Sequence, residues 1–178
     1  MSTLAGEILI VTGPPGAGKS TMARALVERF DRAVLLEGDA YFQAIVRGWI
    51  APWTPPARDQ NTVVTKAMGA SAGEFARGGY AVVLEGIIGP WFLDTFVPAA
   101  GGMPVHYLIV RPTAEIAMDR AIAREAPALV DPEPIAHMYE AFESHDGYER
   151  HVLDTSDHTI DETVNLVLAR VEEGALRL

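Results

Sequence analysis

The sequence predicts an α/β fold in which five parallel strands form one sheet covered by helices on both faces. Three observations carry that expectation. Five short apolar runs rich in β-branched residues alternate with segments of helical periodicity. A glycine-rich stretch separates the first run from the first helical segment. The 178 residues, 49% apolar and 21% charged, have the size and composition of one globular domain around one core.

Glu7 to Thr12 (EILIVT) reads as the first strand and Ser20 to Phe30 as the first helix. Ala33 to Glu37 (AVLLE) is a second strand ending in Gly38-Asp39, followed by a helix over Ala40 to Ile50. Ala51 to Asp59 holds three prolines and reads as irregular, and Gln60 to Arg77 resumes helical spacing until Gly78-Gly79 stops it. Tyr80 to Glu85 is the third strand, Gly86 to Pro90 a turn, Trp91 to Val97 a short helix and Pro104 to Val110 the fourth strand. Pro112 stands near the first turn of a helix from about Thr113 to Glu125, where its missing N–H is harmless. Ala126 to Pro134 reads as a loop, Ile135 to Ser144 as a helix and His151 to Asp154 as the fifth strand. The last helix spans about Asp161 to Glu173, with Thr159 or Asp161 as its cap. Right-handed crossovers would join the strands, and no repeat or interdomain linker interrupts the series.

Composition removes several functions. The absence of cysteine excludes disulfides, thiolate catalysis and Cys-ligated metals. A net charge of −10 argues against a general nucleic-acid binder, and the excess acid is local: residues 111–178 carry six basic and fifteen acidic groups. An anionic ligand is therefore expected in the first half of the chain or at particular arginines. No apolar run approaches the ~18 residues of a membrane span, and the N-terminus lacks the regions of a signal peptide, so the expected setting is cytoplasmic, away from membranes. The histidines show no zinc pattern: His137, His145, His151 and His158 read as solvated or capping, and His106 as a satisfied core residue.

Gly13 to Ser20 reads G-P-P-G-A-G-K-S, the pattern G-x-x-x-x-G-K-[ST], in its required place between a strand and a helix. Gly13, Gly16 and Gly18 let backbone N–H groups turn inward around phosphate oxygens, with Pro14, Pro15 and Ala17 between them, and the helix from Ser20 adds its positive end, with Thr21 as the last nucleotide contact. Lys19 would reach the β and γ phosphates, and Ser20 would offer its hydroxyl to Mg²⁺. ATP and magnesium are the expected cofactors. No Asn-Lys-x-Asp run for guanine and no transporter-type signature accompanies the loop.

With GPPGAGKST, the LLEGD that ends the second strand and the arginine-bearing helix after the fourth, the chain resembles the nucleoside-monophosphate-kinase-like group of P-loop phosphotransferases. Within it, the layout is similar to the small kinases that include chloramphenicol phosphotransferase, gluconate kinase and the zeta-toxin-like enzymes, which are AAA-type ATP-binding phosphotransferases. The resemblance implies a three-layer P-loop NTPase fold with sheet order 2-3-1-4-5. It also implies an acceptor-binding helical insertion over about residues 40–79 and a short lid over about residues 125–134.

Asp39 lies just past the carboxyl end of the second strand, where open α/β sheets collect their ligands, and could take the acceptor hydroxyl's proton. Related kinases place an Asp there for that purpose; a helix N-cap is the competing reading, and the two can coexist. Glu85 ends the third strand and resembles the second nucleotide-binding motif, with a magnesium-bound water or the acceptor as its partner. Glu37 reads as a solvated or structural acid pointing away from Asp39. Arg120 and Arg124 stand four apart on one helix face. By resemblance Arg120 would stack over adenine and Arg124 would reach the transferring phosphate, whereas an exposed helix with Glu115, Asp119 and Glu125 as ion-pair partners is the alternative. Asp154-Thr155-Ser156 falls where relatives wrap backbone around the adenine edge, which makes Thr155 a nucleotide contact.

For the acceptor, the segment after Asp39 contributes Tyr41, Phe42, Arg47, Trp49, Trp53, Arg58 and Gln60, and Trp91 follows the third strand. All three tryptophans of the chain fall in these two segments. Rings with one polar handle suit an organic alcohol; packing of a helical subdomain is the other reading. The Asp-Gly-Phe-Pro-Arg of nucleotide monophosphate kinases is replaced here by Glu85-Gly86-Ile87-Ile88-Gly89-Pro90-Trp91. The expected activity is ATP-dependent phosphoryl transfer to a hydroxyl of a metabolite or antibiotic by a monomer or homodimer. A regulatory switch with slow ATP hydrolysis is the alternative.

Overall fold

The computed structural model describes residues 4–124, 129–143 and 147–178. β1 (Ile8–Thr12) is buried at every position, as an apolar β-branched run requires, and lies at the centre of the sheet. β2 (Ala33–Glu37), β3 (Ala81–Glu85), β4 (Val105–Val110) and β5 (Val152–Leu153) complete the order β2-β3-β1-β4-β5, each pair parallel. Both the fold class and the strand order match the expectation.

Strand alternation sorts the core into two layers. Leu9, Val11, Val83, Leu108 and Val110 pack on Met22 and Leu26 of α1 (Lys19–Val27) and on Val164, Val167 and Val171 of α7 (Ile160–Glu172). Ile8, Ile10, Val82, Leu84 and Ile109 pack on Val64, Met68 and Ala72 of α3 (Arg58–Arg77) and on Phe96 of α4 (Leu93–Ala99). Each buried Val, Leu, Ile, Met or Phe among them contributes about 1.5–3 kcal/mol by leaving water.

Several boundaries differ from expectation. α2 spans only Gly38–Gln43, and the chain then runs irregularly through Gly48, whose φ is +77°. The proline segment contains a 3-10 turn, Pro55–Ala57, and α3 starts directly after it at Arg58. α5 (Ala114–Ile122) begins two residues after Pro112, with Thr113 as its cap, and ends at Ile122, short of the expected Glu125. α6 (Pro132–Ala141) begins inside the expected loop: Asp131 caps it by accepting from the N–H of Glu133, and Pro132 occupies the first position, where proline is tolerated. Thr159, not Asp161, caps α7, in a reciprocal capping box with Glu162. His151 is buried, not solvated, with its ring against the carbonyl of Tyr107. Of the expected lid, residues 125–128 lie outside the described residues, as do Glu125 and His145.

β5 pairs only with Ile109 and Val110, leaving the lower half of β4 to find another partner. The chain end supplies it: the N–H of Tyr107 donates to Leu176 O at 2.8 Å, and the N–H of Leu178 donates to Val105 O at 3.0 Å. An otherwise open sheet edge is thereby covered.

Candidate active site

The loop between β1 and α1 is shaped by glycines that nothing else could replace. A Cβ on Gly13 would stand 2.1 Å from the Val110 carbonyl oxygen, and one on Gly16 would stand 1.9 Å from that of Ala117. Both residues have positive φ, as does Gly18, the N-cap of α1. The loop therefore lies flat on β4 and α5, and the first-turn N–H groups of α1, which lack helical partners, open toward its concave side.

Lys19 is buried at 7% exposure, and its Nζ donates to Pro14 O at 3.0 Å across the loop. Desolvation pulls its pKa from 10.5 down to about 8, against the attraction of Glu85 and Asp39 and with the repulsion of Arg124. Four predicted site residues are thus electrostatic neighbours. Phosphate oxygens favour the charged ammonium, so the pKa rises on binding, and anion affinity is flat below pH 8 and declines above it. Nucleotide binding is expected to take up about half a proton near pH 8, measured by calorimetry in two buffers of different ionisation enthalpy. Equal heats in both would refute this.

Glu85, 7% exposed, has its pKa raised, by burial first and by Asp39 against the opposing charge of Lys19. The Ser20 hydroxyl lies near its carboxyl and opposes the rise. Among the described residues no three His, Asp or Glu side chains stand ready to hold a metal. A hydroxyl with one carboxyl behind it, beside an anion cradle, is instead the donor set of a magnesium ion that keeps water and phosphate oxygens as its other ligands. The residues present fit a magnesium nucleotide.

Asp39 sits in the first turn of α2, exposed, and makes no capping bond; Glu37 holds the N-cap position. The capping reading of Asp39 therefore falls. Glu37 accepts from Arg24 of α1 at 2.7 Å.

From the phosphate loop a cleft of about 1550 Å³ runs past Ser20, Asp39 and Glu85 to a wall carrying Trp49, Trp53 and Trp91. Arg58 and Arg124 also line it, as do Leu129, Val130 and Asp131 from the expected lid segment. The wall is built by local bonds. Gln60 clamps Ile50 through both its amide groups, at 2.8 and 2.7 Å, and Asn61 Nδ2 donates to Pro52 O at 2.7 Å. Trp49 and Trp53 meet edge to face with ring centroids 6.2 Å apart. Across the cleft, the Ile88 N–H donates to the buried Thr12 hydroxyl and Tyr107 donates to Ile88 O, which fixes the loop that presents Ile87 and Trp91. Trp91 folds over Gly89 and against Phe142.

Not every expected residue reaches this cleft. Tyr41 is half-buried and packs on the core cluster around α3. Arg47 is exposed away from the cleft, and Gln60 works as a clamp instead of a lining residue. Arg120 is exposed on α5 outside it. Thr155 is buried, two residues past Leu153, which shares a core cluster with Ala17 of the phosphate loop; its hydroxyl has no partner among the described residues. Sequence reasoning missed Asn61, Thr65 and Met68, which line the cleft from one face of α3, and Thr12 and Tyr107, which hold the opposite loop. The i, i+4, i+7 spacing of the α3 residues was a usable signal; nothing local marked Thr12 or Tyr107.

The profile of the AAA domain matches residues 8–145, from β1 through the loop and both acids to α6. The chain belongs to the AAA-domain family. Among solved structures, the tunicamycin resistance protein of Deinococcus radiodurans superposes with a TM-score of 0.70 at 16% identity, over 93% of this chain and 95% of that one. A gluconokinase of Sinorhizobium meliloti 1021 does so at 0.68 and 19% identity, over 95% of each chain. A shikimate kinase of Acinetobacter baumannii, in complex with shikimate, does so at 0.62 and 18%, over 94% of each. At these identities the likeness is one of fold, and this AAA-domain chain has the fold of the P-loop small-molecule kinases. An adenylate kinase of Pyrococcus furiosus is 36% identical over 58 residues, 33% of this chain; the chain spans about a quarter of the length of that curated relative. No helix among the described residues is long and apolar enough to cross a membrane.

Proposed function

We propose that this protein is an ATP-dependent phosphotransferase that moves the γ-phosphoryl group to a hydroxyl of a small organic molecule. The observation that supports it best is the single cleft joining the phosphate loop, Asp39 and an aromatic wall. Bound magnesium would offset the negative charge on the phosphates. The loop N–H groups and Lys19 hold the β and γ phosphates, with Ser20 on the metal side and Glu85 behind it. Asp39 orients the acceptor hydroxyl and takes its proton as the new oxygen–phosphorus bond forms, while the bond to the bridging oxygen breaks and ADP leaves with the electron pair. Arg124 reaches the transferring group, and Arg120 and Thr155 serve the adenine side. Residues 40–79 supply the acceptor wall, and Leu129, Val130 and Asp131 line the cleft beside it.

The acceptor is an alcohol with a flat apolar body. Trp49 and Trp91 are 48% and 50% exposed and Ile87 is 39% exposed, all on the cleft, so a ligand would find apolar surface to cover. The loop from Gly86 to Trp91 carries no cation for an acceptor phosphate, which disfavours nucleoside monophosphates. Arg58 leaves room for one acidic group on the acceptor. Covering about 100 Å² of ring contributes about 2 kcal/mol, so Trp49→Ala or Trp91→Ala is expected to raise the acceptor KM about tenfold or more with the ATP KM unchanged.

A metabolite panel incubated with γ-labelled ATP tests the function. A phosphorylated alcohol supports it. Slow ADP release with no phosphorylated small molecule would favour the switch reading, and efficient phosphorylation of AMP, CMP or UMP would overturn the acceptor assignment.

A further inference from the structure

Glu37 and Glu85 are register partners on adjacent parallel strands, so both side chains leave the sheet on the face that α1 covers. Strands in a sheet lie about 4.8 Å apart, close enough for two carboxylates to repel unless each meets a cation. The structure sorts them. Glu85 lies on the cleft with Lys19 and Ser20, whereas Glu37 Oε1 accepts from Arg24 Nη2 at 2.7 Å. Arg24 stands one helical turn after Ser20 on the same face of α1.

Asp39 follows two residues after Glu37, and Gly38 between them lies so close to β3 that a Cβ there would stand 3.0 Å from Glu85 O. Glu37 and Asp39 thus both lie at the strand ends near Glu85, whose carboxyl feels the charge of each, yet no three of the described side chains are placed to hold a metal ion. The Arg24–Glu37 pair is 66% and 43% exposed, too solvated to add much to stability. Its consequence is one of placement.

We infer that Arg24 is a positioning residue of the transfer site: by holding Glu37 it keeps a third carboxylate away from Ser20, leaving Glu85 alone behind the metal position and Asp39 free for the acceptor. The inference rests on the phosphotransferase reading of this site. Without Arg24, the Glu37 carboxylate would be drawn toward Lys19 and any divalent cation at Ser20, and the three acids together would bind a cation even with no nucleotide present.

Mn²⁺ alone is the probe, its free and bound forms counted by electron paramagnetic resonance on nucleotide-free protein. Arg24→Ala is expected to bind Mn²⁺ at least tenfold more tightly than wild type. Arg24→Lys, Glu37→Gln and the double variant Arg24→Ala/Glu37→Gln should all show the weak wild-type binding. Magnesium-dependent turnover should fall about tenfold in Arg24→Ala and recover in the double variant. Equal Mn²⁺ affinity in wild type and Arg24→Ala overturns the inference. So does a Glu37→Gln variant as impaired as Arg24→Ala, the signature of a merely structural tie. Failure of the kinase reading would show separately, as a wild type that transfers no phosphoryl group. Because Arg24 is exposed, its replacement opens no core.

Discussion

Lys19→Met is expected to weaken nucleotide binding about 10- to 100-fold and to slow phosphoryl transfer about a thousandfold. The first figure is what one charge-assisted contact of about 1.5–3 kcal/mol is worth. The second is larger because the buried ammonium also faces the charge that develops on the transferring group. The nucleotide-free fold should not suffer. Lys19 has a lower pKa in the folded chain, about 8 against 10.5, so burying its charge costs stability below pH 8, and that cost disappears as pH rises toward 10.5. Methionine keeps the aliphatic packing without the charge, so at pH 7 the Tm should equal or exceed that of wild type. Titration with a fluorescent ATP analogue and thermal melting check both halves. Undiminished affinity, or a Tm lowered by many degrees, would contradict the role given to the side chain.

Asp39→Asn is expected to leave nucleotide affinity within about twofold of wild type and to reduce transfer to the acceptor about a hundredfold or more, the scale of losing a general base. Asparagine has nearly the same shape but does not take up the proton. The side chain is exposed and makes no capping bond, so the Tm should stay within a degree or two. Single-turnover transfer separates this from a binding defect. A variant that transfers at the wild-type rate would remove Asp39 from the chemistry and direct attention to Glu85, the other carboxyl on the cleft near Lys19.

The layout of the chain was legible because its signals are local. A buried parallel strand needs a continuous apolar run, a phosphate cradle needs glycines at fixed spacing, and both are written within ten residues of sequence. The strand order followed from the resemblance that those motifs carry. The position of Asp39 was legible too, since the residue after a strand's carboxyl end lands on the ligand edge whatever the rest of the chain does. Sequence also placed every tryptophan in the two segments that line the cleft.

Tertiary structure decided which neighbours meet. Strand register set Glu37 beside Glu85, and no local pattern says that α1 brings Arg24 to one and Lys19 with Ser20 to the other. Helix α2 ended early because Gln60 and Asn61, more than ten residues on, hold the Trp49–Thr54 stretch in a non-helical path. Tyr41, one more aromatic in the right segment, was turned into the core by the face of α2 it occupies. The chain end after the last helix became the partner of β4 because a two-residue β5 left that edge open. The physical reason is the same in each case: propensity and motif fix the conformation of a short segment. Which face it buries, and which charge it meets, depends on what packs against it from elsewhere in the chain.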